Sequence, residues 1–344
     1  MIRFNCDYLE GAHPRILEKL VETNFVQTPG YGTDEYCERA REIIRKKCGV
    51  EDAYVQFLVG GTQTNTTVIA SILKPYQGVL SAVTGHINAH ETGAIEATGH
   101  KVLALPSEDG KITAAQVQEA YDVHWADASH EHIVQPGMVY ISHPTENGTL
   151  YTKEELKSLY ETCKKLGLPL FLDGARLGYG LMSEGSDVTL EDVAAYTDVF
   201  YIGGTKVGAL FGEAVVITDL ALAKDFRYMI KQHGGMLAKG RLLGIQFQTL
   251  LEDGLYEEVA KKAVKQAMRL KEAFLEKGYP LFYDSYTNQQ FPIMPKAQLE
   301  QLKEKYSFEL WVPLDEEYDA VRFCTSWATK DEDIDQLIAD LNEL

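Results

Sequence analysis

The sequence predicts an α/β fold: a mostly parallel central sheet with helices on both faces, followed by a small C-terminal α+β unit. Three observations lead there. Short β-rich runs alternate with helical segments from Tyr54 to Gly203. Most of these runs are continuously apolar, as strands buried on both faces are. After about Gly254 the texture changes, and one long amphipathic stretch is followed by short strands. The expected division is residues 1–253 for the large unit and 254–344 for the small one.

Each element has a local reason. Tyr54–Val59 reads as a strand, and the helix after it, Thr62–Leu73, is stopped by Pro75. Val79–Val83, Val102–Leu105 and Met138–Ser142 read as further strands. Thr152-Lys-Glu-Glu155 is a capping box that opens a helix closed by Gly167. Strands Leu168–Asp173 and Val199–Gly203 complete the large sheet. Beyond Gly254, a helix over Tyr256–Lys277 ends at Gly278; strands are expected at Leu281–Tyr283, Glu309–Pro313 and Ala320–Ser326, and a final helix at Glu332–Leu344.

Bulk properties narrow the function. The chain has 344 residues, 45% of them apolar, enough for a substantial core. A formal net charge of −18 repels phosphate backbones and anionic lipid, so neither nucleic acid nor a membrane is an expected partner. The five cysteines are scattered with no CxxC spacing, so neither a metal site nor a disulfide framework is expected. Reduced thiols fit the cytoplasm. Met1–Glu10 lacks the apolar stretch of a signal peptide and no run is long enough to span a bilayer, so a full-length soluble protein is expected.

Four segments carry candidate chemistry. In Phe200-Tyr-Ile-Gly-Gly-Thr-Lys206, a lysine follows a buried strand and two glycines. A desolvated lysine has a depressed pKa and attacks aldehydes; a plain surface lysine at a strand end also fits. Asp173 ends an apolar strand and precedes Gly-Ala-Arg176. A carboxylate there can hold a protonated ring nitrogen, or simply cap a helix. Val59-Gly-Gly-Thr62 leads from strand into helix, where free N–H groups and the helix dipole favour a phosphate; a tight turn is the plainer alternative. His86 follows a strand and offers a flat ring for stacking, or is a structural histidine. His86 and His90 have helical metal-pair spacing, but no third ligand is evident. Amine, carboxylate, phosphate loop and flat side chain match the functional groups of pyridoxal 5′-phosphate (PLP), and each follows a different strand.

This order of motifs resembles the fold-type I PLP enzymes, and more narrowly the threonine aldolase / β-eliminating lyase family. The likeness runs from Asn5-Cys-Asp7 to Arg322 and is most specific at Asp173-Gly-Ala-Arg176, Lys206, and His86 ahead of Glu91-Thr-Gly93; Tyr31-Gly-Thr-Asp34 resembles a further family segment. It implies that Lys206 forms the Schiff base, Asp173 bonds the pyridine nitrogen and His86 stacks on the ring. It implies that Gly61 and Thr62, with Thr205, hold the phosphate, and that Arg176 and Arg322 bind the substrate carboxylate as guanidinium forks. It further implies a homo-oligomer, commonly a tetramer, acting on an amino acid. Three positions depart from the pattern. Cys6 stands where a carboxylate-binding serine is usual, and Leu237 where an arginine reaches a neighbouring subunit's phosphate, leaving Lys239 or Arg241 for that task. His143-Pro-Thr-Glu-Asn-Gly148 stands for a stretch that carries a second catalytic histidine, leaving His132 as its substitute.

The expected activity is cleavage of Cα–Cβ in threonine, allo-threonine or phenylserine to glycine and an aldehyde, with His86, His132 or water as base. Alternatives are β-elimination or transamination on the same cofactor. From another class comes a nicotinamide-dependent oxidoreductase, although the first glycine turn lacks its fingerprint.

Overall fold

The computed structural model describes residues 1–344. In chain order its strands are β1 (Ile2–Arg3), β2 (Tyr54–Leu58), β3 (Gln77–Ala82), β4 (Lys101–Leu105), β5 (Gln135–Ser142), β6 (Leu170–Asp173), β7 (Val199–Gly203), β8 (Glu213–Ile217), β9 (Gln289–Gln290), β10 (Ile293–Pro295), β11 (Tyr306–Ser307), β12 (Glu309–Pro313) and β13 (Tyr318–Cys324). Seven of them form the central sheet, in the order β2-β8-β7-β6-β5-β3-β4. All six strands expected in the large unit are present. The seventh, β8, was not expected; it runs antiparallel to both neighbours. Its run Glu213-Ala-Val-Val-Ile217 is as apolar as the others but begins ten residues after β7 ends, with no crossover helix between them, so the β-helix alternation passes over it.

Alternate residues of the buried strands enter two separate cores. Val139, Ile141, Leu170, Leu172, Phe200 and Ile202 face one side, packed with Ile44, Leu156, Leu159 and Leu250 from helices. Met138, Tyr140, Phe171, Val199 and Tyr201 face the other, packed with Val68, Ile69, Ile95 and Ile230. Helices therefore cover both faces. Each fully buried aliphatic side chain here contributes about 1.5–3 kcal/mol.

The helix ends follow the local signals. Thr152 and Glu155 make the reciprocal capping box of helix Lys153–Leu166, and Gly167 closes it with φ 69°. The helix after β2 spans Gly61–Ile72. The long C-terminal helix spans Leu255–Glu276 and the last one Asp331–Glu343.

In the C-terminal sheet, β13 lies between β10 and β12 and also pairs with β9, all antiparallel. Leu281–Tyr283 is not a strand. It makes one isolated bridge, Leu281 to Pro292, and Pro292 has no N–H with which to extend a ladder. Packing changes partner along the long helix: Leu255, Val259 and Val264 join the large core, whereas Leu270 and Phe274 join the small one. The N-terminus belongs with the small core too, since β1 pairs in parallel with β11 and Phe4 packs there. No helix is long and apolar enough to cross a membrane.

Candidate active site

The carboxyl ends of β2, β3, β5, β6 and β7 lie along one edge of the sheet, as parallel strands require. The antiparallel β8 starts at the same edge, where Glu213 pairs in register with both Leu58 and Gly203. The segments that follow these ends enclose a cavity of about 310 Å³, within the scale of a cofactor site. Gly61, Thr62, His86, Asp173, Arg176, Thr205 and Lys206 all line it, together with Tyr8, Ser142, Glu146, Tyr201 and Glu213.

Asp173 is buried and densely bonded. Its Oδ1 accepts from the Ala175 N–H at 3.0 Å; its Oδ2 accepts from the Tyr140 hydroxyl at 2.6 Å and the Asn65 amide at 3.1 Å. Burial alone would raise its pKa, but the His86 charge and these hydrogen bonds outweigh burial and hold it below the usual carboxylate range. The helix-cap alternative does not describe it, because its donors are side chains of other elements and a turn N–H. The Tyr201 hydroxyl stands beside the same carboxylate without a well-formed hydrogen bond.

His86 opens a short helix after β3, with its Nδ1 2.7 Å from Glu91 Oε1. The Asn65 amide also donates to Glu91, at 2.7 Å, so Asn65 ties the two carboxylates together. Burial lowers the His86 pKa, but the Glu91 hydrogen bond and the Asp173 charge reverse this and leave it raised.

Lys206 is half-buried, with its Nζ 5.9 Å from the centre of the Tyr8 ring. Its carbonyl accepts from the Tyr179 hydroxyl at 2.5 Å, which pins the turn. Removal from water and the Arg176 charge lower its pKa, against the pull of Asp7, Asp173 and Glu213. The two glycines before it serve protein packing rather than a ligand: a Cβ on Gly203 would lie 2.4 Å from the Ala175 carbonyl oxygen, and one on Gly204 2.8 Å from that of Gly212. Glu213 accepts from the Gly204 N–H at 3.0 Å. Burial pushes its pKa up to about 8, against the Thr205 hydrogen bond and the Lys206 charge.

The helix Gly61–Ile72 begins at the cavity with Gly60 as a cap that has no side chain, so first-turn N–H groups are free for an anion. A side chain at 61 would crowd this start, since a Cβ there would lie 3.2 Å from the Tyr201 hydroxyl. Thr205 accepts from the Gly212 N–H at 3.0 Å.

Arg176 is buried, and one edge of its fork is occupied: Nε donates to Asp7 Oδ2 at 2.7 Å and Nη2 to Asp7 Oδ1 at 3.0 Å. Asn288 also donates to Asp7, at 2.9 Å. Burial opposes both charges, but their mutual attraction prevails and drives the Asp7 pKa far down and that of Arg176 up.

Four expected residues do not line the cavity. Arg322 is bonded to Glu309, to Gln289 at 3.0 Å and to the Asn5 carbonyl at 3.3 Å. Cys6 accepts a long contact from Asn5 at 3.8 Å. His132 and Lys239 are exposed, His132 ahead of β5 at the sheet edge opposite the cavity. Arg241, the other candidate for the neighbouring-subunit task, is bonded to the carbonyls of Val26 and Asn24.

The residues that hold these groups had no role assigned from the sequence: Asn65, Tyr140 and Glu213, and also Asp7, Glu91 and Glu146, which appear there only inside the segments of resemblance. Asn65 and Glu91 had a weak signal, following the loop and the histidine by a few residues.

Comparison with known proteins shows the family of this chain. The sequence profile of the family described as beta-eliminating lyase matches residues 11–297. The chain is 32% identical to a low specificity L-threonine aldolase of a Pseudomonas strain, over 98% of this chain and 96% of that protein. The solved structure of Leishmania major threonine aldolase superposes with a TM-score of 0.97 at 42% identity, covering 100% of this chain and 99% of that one. A histidinol-phosphate aminotransferase from Clostridium acetobutylicum, at 15% identity and a TM-score of 0.75, shares the fold alone.

Proposed function

Because this chain belongs to the beta-eliminating lyase family, we propose that it cleaves Cα–Cβ of a threonine-type β-hydroxy-α-amino acid, releasing glycine and an aldehyde, with PLP as cofactor. The single observation behind this is the meeting of an ionised, buried Asp173 and a pKa-lowered Lys206 at one cavity that opens on a helix start. The residues fit the cofactor: a carboxylate for a ring N–H, an amine for an aldehyde, free amides for a phosphate and an unpartnered Tyr201 hydroxyl beside Gly61. When bound, PLP supplies an electron-withdrawing ring that accepts the pair of the broken bond.

The chain's own residues do the rest. Asp173, ionised, would hold the ring nitrogen and keep a proton on it. The lowered Lys206 pKa keeps a larger share of its amine unprotonated, as a nucleophile or proton acceptor must be. First-turn amides at Gly61 and Thr62, with Thr205 at the rim, bind phosphate. His86, held by Glu91, would offer its flat ring to the cofactor from the cavity wall. Arg176 retains its Nη1 edge for the substrate carboxylate, and orientation of that group sets which Cα bond breaks. Arg322 can join only by exchanging Glu309 for the substrate, one carboxylate for another, with Cys6 nearby. Exposed Leu17, Val21 and Phe25 on and after the first helix support a homo-oligomer, which leaves Lys239 at the surface for a neighbouring subunit, and five free cysteines support a reducing, cytoplasmic setting.

The test is borohydride reduction of the PLP-loaded protein followed by peptide mapping, with threonine, allo-threonine and phenylserine then assayed for products. A tag on Lys206, with glycine and aldehyde formed, is expected. A tag elsewhere removes the assignment, and pyruvate with ammonia would replace aldol cleavage by elimination.

A further inference from the structure

Cleavage of a β-hydroxy amino acid needs a group that takes the proton from the β-oxygen. The two histidines expected for this role, His132 and His86, are poorly placed for it. His132 is on the surface away from the cavity. His86 has Nδ1 committed to Glu91, and the Glu91 bond and Asp173 charge that raise its pKa, against burial, weigh toward the protonated ring.

Glu146 is different. It follows the end of β5 by four residues, is 9% exposed and lines the cavity. Its Oε1 accepts from the Ser142 hydroxyl at 2.7 Å and from the His86 N–H at 3.1 Å. Its Oε2 is buried with no partner. Two donors on one oxygen fix the carboxyl plane at the cavity wall, and the second oxygen, buried without a partner, leaves the carboxylate short of the hydrogen bonds its charge calls for. Burial raises its pKa, against the Ser142 bond and with the help of the Asp173 charge, and so strengthens it as a base. Tyr140, Tyr151 and Arg176 also sense its charge.

Resting on the function proposed above, we propose that Glu146 is the catalytic base for the β-hydroxyl and the residue that selects substrates bearing oxygen at Cβ. In the step, the hydroxyl O–H bond breaks and its proton moves to the Glu146 carboxylate. The O–H pair becomes the second C–O bond of the aldehyde. The Cα–Cβ bond breaks and leaves its pair at Cα. The proton then passes through water to the Lys206 amine and on to Cα, so the hydrogen lost from the hydroxyl equals the one gained by glycine.

The experiment uses the PLP-loaded enzyme and its Glu146→Gln and Glu146→Asp variants. Gln keeps an acceptor for Ser142 and the His86 N–H but cannot take a proton. Three quantities are read: threonine cleavage, exchange of the glycine Cα hydrogen in deuterated water, and binding of serine against alanine by the absorbance change on rapid mixing. Glu146→Gln should lower cleavage by about 10²–10⁴-fold, keep glycine exchange within about threefold, and abolish the preference for serine over alanine, while Glu146→Asp recovers part of the cleavage. Cleavage within about threefold of the parent, an equal fall in exchange, or an unchanged serine preference each overturns the assignment. Parent enzyme that exchanges glycine but cleaves no β-hydroxy amino acid overturns the proposed function, and this inference with it.

Discussion

Asp173→Asn separates holding a cofactor ring from holding the fold. The substitution is nearly isosteric. The remaining side-chain oxygen keeps the Ala175 N–H, and the Tyr140 hydroxyl can turn to accept from the new amide. The Asn65 amide, 3.1 Å away, then faces another donor and loses its bond. One lost hydrogen bond to a charged group costs about 1.5–3 kcal/mol, and the relief of not burying a charge offsets part of it. A melting temperature lower by no more than about 6 °C is therefore expected. Catalysis loses more. Without a carboxylate, nothing in the cavity keeps the ring nitrogen protonated, and removal of such a preorganised group costs about 10²–10³ in rate. The assay is kcat/KM for threonine, by coupled reduction of acetaldehyde at saturating PLP, beside calorimetry. A rate loss below tenfold, or one accounted for by unfolded protein, would refute the assignment of Asp173 to the ring.

Three further outcomes are expected. Lys206→Ala should lose the yellow PLP band and turnover while its melting temperature in the cofactor-free form stays near that of the parent; retained activity would show another amine at work. Asp7→Ala leaves Arg176 buried without its counter-charge and should cost about 3–5 kcal/mol in urea unfolding; a loss under about 1 kcal/mol would mean that water replaces the carboxylate. In cofactor-free protein, Glu213 holds its proton up to about pH 8, whereas the unfolded chain releases it near the ordinary value of 4.5. Between those limits the folded state binds more protons, so stability falls as pH rises. Glu213→Gln should flatten that slope, and an unchanged slope would show that Glu213 is ionised in the fold.

Much of the site was legible because its chemistry lies at strand ends. Asp173 closes a continuous apolar run and Lys206 follows another by three residues, and such runs are buried strands whose carboxyl ends meet. Gly61 and His86 follow strands for the same reason. Glu146 was equally close to a strand end, but its segment was read for the histidine it lacks rather than for the carboxylate it has. The roles expected of Arg176 and Arg322 came from the family resemblance, and nothing local shows that Asp7, 169 positions away from Arg176, already occupies one edge of its fork.

The sequence by itself determined the layered α/β plan, the ends of the helices after β2, before β6 and in the C-terminal part, and the placement of Gly61, His86, Asp173 and Lys206 beyond strand ends, because periodicity, capping residues and glycines act over a few neighbours. Only the tertiary structure decided the antiparallel insertion of β8, the union of the N-terminus with the C-terminal sheet, and the partners that set each charge. Those outcomes depend on pairings between segments far apart in the chain, and an ionisable group takes its pKa from whatever the fold packs against it.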